Sequence, residues 1–352
     1  MYKKILVTGG AGFIGSSLIK FLLKDKKNKV FNIDNLTYAG NLNTLQSIIR
    51  NKNYFFKKVD INNKKKIQSI FKQFKPNYVY NLAAESHVDK SIENPDGFIQ
   101  TNILGTYNLL NVSKNYYKKN KKFIFHHIST DEVYGELSKN SKNTFNEQYR
   151  YQPNSPYAAS KACSDHLVRS WSKTYKLPVI ISNCSNNYGS YQYPEKLIPH
   201  VILSALKNKE IPIYGNGEQI RDWIHVDDHC EALIKIMKYG RIGETYNVGA
   251  SCQKSNIQVV KLILKYLSKM SKKKSKHIVH FNHLITFVKD RPGHDFKYAI
   301  NSNKIQKKLN WQPKKSFEEG IWDTVKWYLD NKTWWNKILK KKYKLQRIGI
   351  IK

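Results

Sequence analysis

Tyr157 and Lys161 have the types and the spacing of a pair that could remove a proton from an alcohol. They lie four residues apart in SPYAASK, directly after Ser155-Pro156, which is typical of a helix start. Residues four apart share one face of a helix. An ammonium beside a phenol favours the phenolate, and a phenolate is a suitable base for a hydroxyl group. Tyr and Lys are abundant in this chain, so the pair needs support from other motifs.

Two adjacent carboxylates, Asp131 and Glu132, follow Ser129 and Thr130 at the end of an apolar stretch. In an open parallel sheet, functional groups gather where the strands end. Like charges held close raise the pKa of one carboxyl group, so one acid can donate a proton while the other accepts one. We therefore interpret this segment as an acid/base set. The alternative is a helix N-cap followed by first-turn acids.

A glycine-rich turn, GGAGFIG at residues 9–15, follows the first apolar stretch. The spacing of Gly9, Gly12 and Gly15 lets backbone N–H groups approach a pyrophosphate at a helix N-terminus. Asp34 follows about 20 residues later, where an acid accepts hydrogen bonds from an adenosine ribose and repels a 2′-phosphate. Together they predict an NAD site rather than an NADP site. The alternative is an ordinary strand-to-helix turn with a loop aspartate.

The elements that must position these groups alternate between strands and helices. Apolar stretches predict strands at residues 4–8, 29–33, 54–59, 78–82, 122–129 and 177–182. Helical patterns between them end near residue 23, cover 64–74 and 97–118, and begin again at 156. Later segments are a helix near 226–237, a strand at 244–248, a helix at 255–270, a polar linker at 271–276 and a last helix ending near 330. The predicted fold class is α/β, a Rossmann-type doubly wound parallel sheet with a smaller C-terminal substrate domain.

Composition limits the classes of protein that the chain can belong to. It has 352 residues, 40% of them hydrophobic and 25% charged, as in globular proteins. It has no apolar run of about 18 residues, so we expect no membrane-spanning helix. Its four cysteines are far apart and form no CxxC pair, which predicts neither a metal site nor a disulfide framework and favours a reduced, cytoplasmic compartment.

The formal net charge of +35 raises the alternative of a nucleic-acid-binding protein. The lysines, however, are spread along the whole chain, with short runs at 64–66, 272–274 and 340–342. Dispersed charge is typical of solvated surface. We therefore expect no nucleic-acid partner, although the positive field should favour anionic small substrates.

Taken together, the motifs resemble those of the extended short-chain dehydrogenase/reductase family and, within it, the dTDP-glucose 4,6-dehydratases. The similarity extends over essentially the whole chain, and the Thr-Asp-Glu triplet at 130–132 is the discriminating motif. The segments that carry it are LVTGGAGFIGS (6–16), IDNLTYAGN (33–41), NLAAESHVDKSI (81–92), HHISTDEVYG (126–135), SPYAASKACSDHLVR (155–169), SNCSNNYG (182–189), PEKLIP (194–199), YGNGEQIRDWIHVDDH (214–229) and TFVKDRPGHDFKYAI (286–300).

The resemblance implies a dehydration of a nucleotide-activated hexose with NAD as cofactor, in the synthesis of deoxysugars of the rhamnose type. Tyr157 would take the C4 hydroxyl proton, and Lys161 would lower the pKa of Tyr157 and hold the nicotinamide ribose. Thr130 would hydrogen-bond the C4 oxygen. Glu132 would remove the C5 proton, and Asp131 would protonate the departing C6 hydroxyl.

The resemblance also assigns two sets of binding residues. Those implied for NAD are Gly9, Gly12, Phe13, Ile14, Gly15, Asp34, Asn35, Thr37, Asp60, Ile61, Leu82, Ala83, Ala84, Thr101, Tyr157, Lys161 and Asn187. Those implied for the nucleotide sugar are Ser86, Thr130, Asn186, Lys196, Leu197, Pro212, Ile213, Tyr214, Arg221, Asn256, Asp290, Arg291 and His294. Arginine suits the diphosphate because its guanidinium pairs bidentately with phosphate.

Several other functions and roles are weighed against this one. Residues 249–256, GASCQKSN, depart from the family wording, which leaves a UDP-glucose 4,6-dehydratase open. A sibling nucleotide-sugar 4-epimerase would need no acid pair at 131–132, and an inactive NAD-binding scaffold would show a lesion in the catalytic set. His126, His127 and the tryptophans near the end of the chain, including Trp334, are interpreted as structural.

The resemblance suggests a division into domains and an assembly. Residues 1–185 would form the NAD-binding Rossmann domain, with segments near 215–250 returning to it. Residues 186–335 would bind the nucleotide sugar, and residues 336–352 would be a basic C-terminal tail. A homodimer would pair through helices near 101–118 and 157–172.

Overall fold

A computed structural model describes residues 3–272 and 280–341, together with residues 343 and 345. Its strands are β1 (Lys3–Thr8), β2 (Asn28–Asp34), β3 (Tyr54–Lys58), β4 (Tyr78–Asn81), β5 (Ile124–Thr130), β6 (Val179–Cys184), β7 (Asn186–Tyr188), β8 (Ile211–Tyr214), β9 (Ile220–His225), β10 (Thr245–Val248), β11 (Gln253–Ser255) and β12 (Ile285–Val288). Its α-helices are α1 (Phe13–Leu22), α2 (Lys64–Phe74), α3 (Val88–Glu93), α4 (Asp96–Phe98), α5 (Thr106–Lys119), α6 (Pro156–Tyr175), α7 (Leu197–Leu206), α8 (Val226–Tyr239), α9 (Asn256–Lys272), α10 (Asn303–Leu309), α11 (Phe317–Asp330) and α12 (Lys332–Lys341).

Seven parallel strands form the central sheet, in the order β10-β6-β5-β4-β1-β2-β3. The strand order reverses at β1, which pairs with β2 on one side and β4 on the other. Such a reversal opens a crevice at the carboxyl ends of the strands, where ligands bind. The predicted α/β, Rossmann-type fold is confirmed.

Helices cover both faces of the sheet because its strands are apolar on both sides. One apolar cluster joins the sheet to α2, α5 and α6, and includes Phe71 and Leu110. The other joins it to α1 and α8, and includes Leu18 and Leu233. Helix α8 packs beside α1, and β10 pairs with β6 at the edge of the central sheet. The later part of the chain therefore completes both the central sheet and the helical layer on one of its faces.

The smaller part of the molecule has its own apolar cluster, formed by residues of α7, α9, α11 and α12 with Ile211, Ile213 and Trp223. Two small sheets flank it, with strand orders β11-β9-β7 and β12-β8. Strand β7 follows β6 after a single residue, so this part begins directly at the carboxyl edge of the central sheet.

Local sequence explains how the helix that carries the Tyr/Lys pair begins and ends. The Ser155 side chain accepts a hydrogen bond from Ala158 N–H, and Pro156 occupies the first turn. Lys176 adopts a left-handed conformation with φ of 55° and ends the helix. The predicted start of this helix is confirmed.

Two segments differ from the sequence prediction. The helix expected at 97–118 is α4, then a π-helical stretch Ile99–Gly105, then α5. In this stretch Asn102 points inward and hydrogen-bonds Glu85 N–H, Glu85 C=O and the Ser160 hydroxyl, contacts that periodicity does not reveal. The strand expected from 122 begins at Ile124.

The carboxyl-terminal region also differs. Helix α11 ends at Asp330 as predicted, but α12 follows it and continues to Lys341 through the start of the expected basic tail. Trp334, Trp335 and Tyr343 are buried, which gives this lysine-rich segment an apolar face to pack. The expected linker begins inside α9, and residues 273–276 lie outside the described residues, as do 342, 344 and 346–352.

Within the described ranges, none of the helices has the length and apolar character that crossing a membrane requires.

Candidate active site

A cavity of about 320 Å³ opens at the carboxyl ends of the central strands. All five predicted catalytic residues line it, with Ser86, Asn186 and Lys196 of the predicted substrate set. The predicted cofactor residues also line it without exception: Gly9, Gly12, Phe13, Ile14, Gly15, Asp34, Asn35, Thr37, Asp60, Ile61, Leu82, Ala83, Ala84, Thr101, Tyr157, Lys161 and Asn187. The predicted NAD-binding residues and the predicted catalytic residues therefore line the same cavity.

The glycine turn between β1 and α1 has a shape that only glycine permits. Gly9 has φ of +69°, and a Cβ there would lie 2.7 Å from the backbone nitrogen of Ala83. A Cβ on Gly15 would lie 2.3 Å from Gly9 O. The turn leads into the N-terminus of α1, whose first turn has no acidic residue. This makes a cradle for a pyrophosphate.

Asp34 ends β2 beside this turn. Its Oδ2 accepts a hydrogen bond from Ala11 N–H at 2.9 Å, and its Oδ1 accepts one from Leu36 N–H at 2.7 Å. The carboxylate is thus held at the cavity wall, where it can accept from a ribose hydroxyl. Asn35 directly follows β2 and donates to Asp60 Oδ2 at 2.9 Å, which connects it to the segment after β3 on the same cavity wall. These residues fit an adenosine dinucleotide without a 2′-phosphate.

Tyr157 projects from the first turn of α6 into the cavity, and its side chain is almost fully buried. Burial raises the pKa of its phenol well above the ordinary value, and Glu132 acts in the same direction. Thr130 opposes this by hydrogen-bonding the phenol. Thr130 therefore lies where it can contact both the phenol and an alcohol that approaches it.

Lys161 lies one turn further along α6 and is also buried. Its Nζ donates to Ile128 O at 2.7 Å and lies 3.5 Å from His127 Nε2. Burial lowers the pKa of Lys161, and the Asp165 carboxylate is the first group that opposes the shift. His127, interpreted from sequence as structural, thus contacts a predicted catalytic side chain.

Asp131 and Glu132 begin a short 3₁₀ turn (Asp131–Tyr134) directly after β5. Asp131 is buried, and burial together with the charge of Glu132 raises its pKa well above the ordinary value. Its Oδ2 has no hydrogen-bond partner among the described residues. A neutral carboxylic acid with a free oxygen can donate a proton to a bound group.

Glu132 has a different electrostatic environment. Burial raises its pKa, but Arg291, Arg221 and Lys196 all oppose that shift. The pKa of both carboxyl groups is raised, but three cations oppose the shift at Glu132, whereas burial and the charge of Glu132 raise the pKa of Asp131 well above its ordinary value. The two environments separate an acid from a base.

The cations near Glu132 are held by the protein. The Nη2 atom of Arg221 donates to the backbone carbonyl of Asp295 at 2.9 Å, and the guanidinium of Arg221 lies 4.3 Å from the centre of the Tyr298 ring. Arg291 NH1 pairs with Asp89 Oδ1 at 2.7 Å, while its Nε has no partner among the described residues. Both guanidinium groups are therefore fixed, and Arg291 keeps an unused donor.

The remaining predicted substrate residues lie outside the cavity wall. Among them, Tyr214 donates to Asp89 Oδ2 at 2.9 Å, and His294 Nδ1 lies 2.6 Å from Asp290 Oδ1. The side chain of Ile213 is buried in the apolar core. The set is Leu197, Pro212, Ile213, Tyr214, Arg221, Asn256, Asp290, Arg291 and His294.

Several cavity residues were not predicted. Trp334, interpreted as a packing residue, is buried and also lines the cavity, and its Nε1 donates to Thr44 Oγ1 at 3.3 Å. Glu195 also lines the cavity, and it forms an ion pair with Lys90 at 2.9 Å. Trp334 lies outside the motif segments, and Glu195 lies within PEKLIP (194–199) but was assigned no role there, so only the tertiary fold shows that they reach the site.

The chain matches known proteins over nearly all its length. The family model for GDP-mannose 4,6 dehydratase matches residues 6–324. The dTDP-glucose 4,6-dehydratase of Neisseria meningitidis serogroup B is 51% identical over 352 residues, covering 99% of each chain. Among solved structures, the dTDP-glucose 4,6-dehydratase of Bacillus anthracis in complex with NAD is 42% identical, with a TM-score of 0.85 and coverage of 96% and 99%. That of Streptomyces venezuelae, also with NAD bound, is 36% identical, with a TM-score of 0.88 and coverage of 95% and 99%.

The glycine turn yields a stability prediction. Gly9→Ala should lower the free energy of unfolding by about 2 kcal/mol, because the residue must keep a positive φ and its Cβ meets backbone that cannot move aside. Gly97→Ala is the control, since a Cβ at Gly97 meets nothing within 4 Å. Urea unfolding of the two variants gives the comparison, and equal stabilities would contradict the strain assigned to Gly9.

Proposed function

The chain belongs to the GDP-mannose 4,6 dehydratase family, and we propose that it converts dTDP-glucose to dTDP-4-keto-6-deoxyglucose with bound NAD. The observation that carries this proposal is the pairing of Asp131 and Glu132 with Tyr157 in one cavity. Oxidation at C4 requires a base for the hydroxyl proton. Loss of water across C5 and C6 requires a second base and an acid, and the site holds all three groups.

The glycine turn would cradle the pyrophosphate of NAD, and the Asp34 carboxylate would accept from the adenosine ribose. Bound there, NAD would supply an acceptor for the C4 hydride and a donor of hydride to C6, so that none would be consumed in a complete turnover. The contact between Gly9 and Ala83 leaves no room for a side chain, so the backbone itself forms this wall.

The first proton leaves the sugar through Tyr157. The phenolate takes the C4 hydroxyl proton, and Thr130 orients the sugar oxygen because its side chain already hydrogen-bonds the phenol. Lys161 is the cation that offsets the phenolate. Such a cation is needed because burial alone makes the Tyr157 phenol a very weak acid.

Elimination then uses the two carboxyl groups in opposite roles. Once C4 is a ketone, the C5 proton becomes acidic and Glu132 removes it as a carboxylate, a form that Arg291, Arg221 and Lys196 favour. Asp131, held neutral by burial and by Glu132, protonates the departing C6 hydroxyl. Water leaves, and C5 is reprotonated when C6 is reduced.

The nucleotide end of the substrate is assigned to the cationic cluster. Lys196, Arg221 and Arg291 meet near Glu132, and the free Nε of Arg291 can donate to a phosphate oxygen. The other residues proposed to hold this end are Ser86, Asn186, Leu197, Pro212, Ile213, Tyr214, Asn256, Asp290 and His294. The thymidine base is proposed because the relatives named above act on dTDP-glucose.

Two other functions are less well supported by the site. A 4-epimerase requires no acid and base for elimination, whereas this cavity supplies both. A nucleic-acid-binding protein would derive its affinity from a cationic surface, but the cations at this site are buried and held by acids or carbonyls.

The direct test is turnover in deuterated water. The protein should convert dTDP-glucose to a 4-keto-6-deoxy product that carries deuterium at C5, with no net consumption of NAD, because Glu132 exchanges the C5 proton. UDP-glucose in a parallel reaction measures the preference for the base. Simple inversion at C4, or a product without deuterium at C5, would refute the dehydratase assignment.

Glu132→Gln separates the two half-reactions. The amide cannot remove the C5 proton, so product formation should fall by at least about 100-fold, while oxidation at C4 remains visible as reduced nicotinamide absorbance. Glu147→Gln is the matched control, because Glu147 is a partly buried acid that accepts from Asn247 N–H and does not line the cavity. Normal turnover by Glu132→Gln would show that another group is the C5 base.

Assembly and location are part of the same proposal. We propose a cytoplasmic homodimer, with the division into domains expected from the sequence. Exposed apolar side chains support the pairing surface, since Ile99, Leu104 and Tyr107 are each more than 40% exposed beside α6. The four free cysteines are compatible with a reduced compartment.

Leu104→Arg should convert the homodimer to single chains, because it places a charge in the proposed apolar interface. Light scattering after gel filtration should then give the mass of one chain for this variant and twice that mass for the unaltered protein. Ile49→Arg is the control, since Ile49 is 52% exposed and follows a 3₁₀ turn (Leu42–Ile48) that packs against α1, on the opposite face of the central sheet from α5 and α6. A Leu104→Arg protein that keeps the double mass would place the interface elsewhere.

A further inference from the structure

Helix α6 carries four polar groups at intervals of four residues: Tyr157, Lys161, Asp165 and Arg169. Residues at this spacing follow one slowly winding face of a helix. The first two line the cavity, and the last two continue the row away from it. The order along the row is a phenol, a cation, an anion and a second cation, so each charge has an opposite neighbour.

Asp165 has an exposed area of 0% and is surrounded by donors. Its Oδ2 accepts from the Ser129 hydroxyl at 2.9 Å and from the Tyr151 hydroxyl at 2.8 Å. Tyr151 in turn accepts from Arg169 NH2 at 2.7 Å. Burial opposes the charge on Asp165, but His127, Lys161 and Arg169 outweigh it and hold its pKa below the ordinary value. Asp165 is therefore a buried carboxylate anion.

His127 lies between this anion and Lys161. Its Nε2 is 3.3 Å from Asp165 Oδ1 and 3.5 Å from Lys161 Nζ. Burial and the nearby Lys161 lower its pKa to about 4, so the imidazole is neutral at working pH. A neutral ring carries its proton on only one nitrogen, and the position of that proton decides what the ring can hold.

Hydrogen bonds on the far side of the ring fix that position. The Thr8 hydroxyl accepts from Ala83 N–H at 3.1 Å and donates to Asn81 Oδ1 at 2.7 Å. The amide nitrogen of Asn81 then faces His127 Nδ1 at 3.1 Å. Because Nδ1 must accept from that amide, the proton of His127 lies on Nε2, on the side of Asp165.

We propose that Asp165, whose Oδ1 lies 3.3 Å from the Nε2 of neutral His127, is the buried counter-charge that keeps Lys161 an ammonium during the reaction. Asp165 and His127 are positioning residues, because they act on the substrate only through Lys161. The inference deepens the proposed function and rests on it, since an ammonium at Lys161 matters only if Tyr157 must lose a proton.

The pH profile of turnover tests the proposal. The alkaline limb of kcat should report the loss of the Lys161 proton. Asp165→Asn removes the charge and keeps an oxygen for Ser129 and Tyr151, so Lys161 should lose its proton at lower pH. We expect the limb to move toward acid by about one pH unit or more, with little change in KM. A purely structural defect would lower kcat and leave the position of the limb unchanged.

Two further variants make the result specific. Asp165→Glu keeps the charge and should return the limb toward its original position. Asp228→Asn is the matched control, because Asp228 is also buried but accepts hydrogen bonds from the backbone N–H groups of Lys314 and Lys315, which do not line the cavity. It should leave the limb unchanged. An unmoved limb in Asp165→Asn, or the same shift in Asp228→Asn, would overturn the proposal.

A second measurement depends neither on turnover nor on the folding of a variant at Asp165. Nitrogen-15 spectra of histidine-labelled holoenzyme should show His127 neutral with its proton on Nε2 at neutral pH, the signal being assigned by its loss in His127→Gln. A proton on Nδ1, or a doubly protonated ring, would overturn the proposal. If the unaltered protein formed no 4-keto-6-deoxy product, the proposed function would fail and these spectra would still decide the inference.

Discussion

The row of hydrogen bonds from Thr8 through Asn81 to His127 is the contact on which the site depends. Thr8 and Asn81 are register partners of β1 and β4, and Asn81 and His127 are register partners of β4 and β5. The row therefore exists only in one alignment of three parallel strands. A slip of one residue would turn each side chain to the other face of the sheet. The same alignment places Thr130, Asp131 and Glu132 at the mouth of the cavity.

Burial makes the charges of this site effective and also makes them costly. An isolated buried ion is strongly disfavoured, so each one here has a partner of opposite charge or a set of donors. Asp165 sits among hydroxyls and cations, and Arg291 pairs with Asp89. Asp131 follows the other route, since burial and the charge of Glu132 raise its pKa well above the ordinary value and so favour its protonated form. Neighbouring groups of the site thus favour the charged forms of Asp165 and Arg291, while the surroundings of Asp131 favour its protonated form.

Sequence alone predicted the parts of the fold that local patterns control. The alternation of apolar strands and helices predicted the sheet, and Ser155-Pro156 predicted the start of α6. The π-helical stretch was missed because inward contacts of Asn102 shape it, and those involve residues 17 and 58 positions away. Trp334 was missed as a cavity residue because its partner Thr44 is 290 positions away. The four-residue interval from Tyr157 through Lys161 to Asp165 could have been noticed in the sequence. Periodicity, however, does not reveal that His127 of β5 lies beside Asp165.

The net charge of +35 and the chemistry of the site have separate origins. Surface lysines are screened by salt over about 10 Å and act mainly on the rate at which an anion arrives. In the proposed function, selectivity comes from Arg221 and Arg291, which are fixed by a backbone carbonyl and by Asp89 before any substrate binds. Because these guanidinium groups need not reorganise, they can bind a diphosphate and favour the carboxylate of Glu132 at once. If the nucleotide end binds there as proposed, it would partly neutralise them and so make Glu132 a stronger base when the sugar is in place.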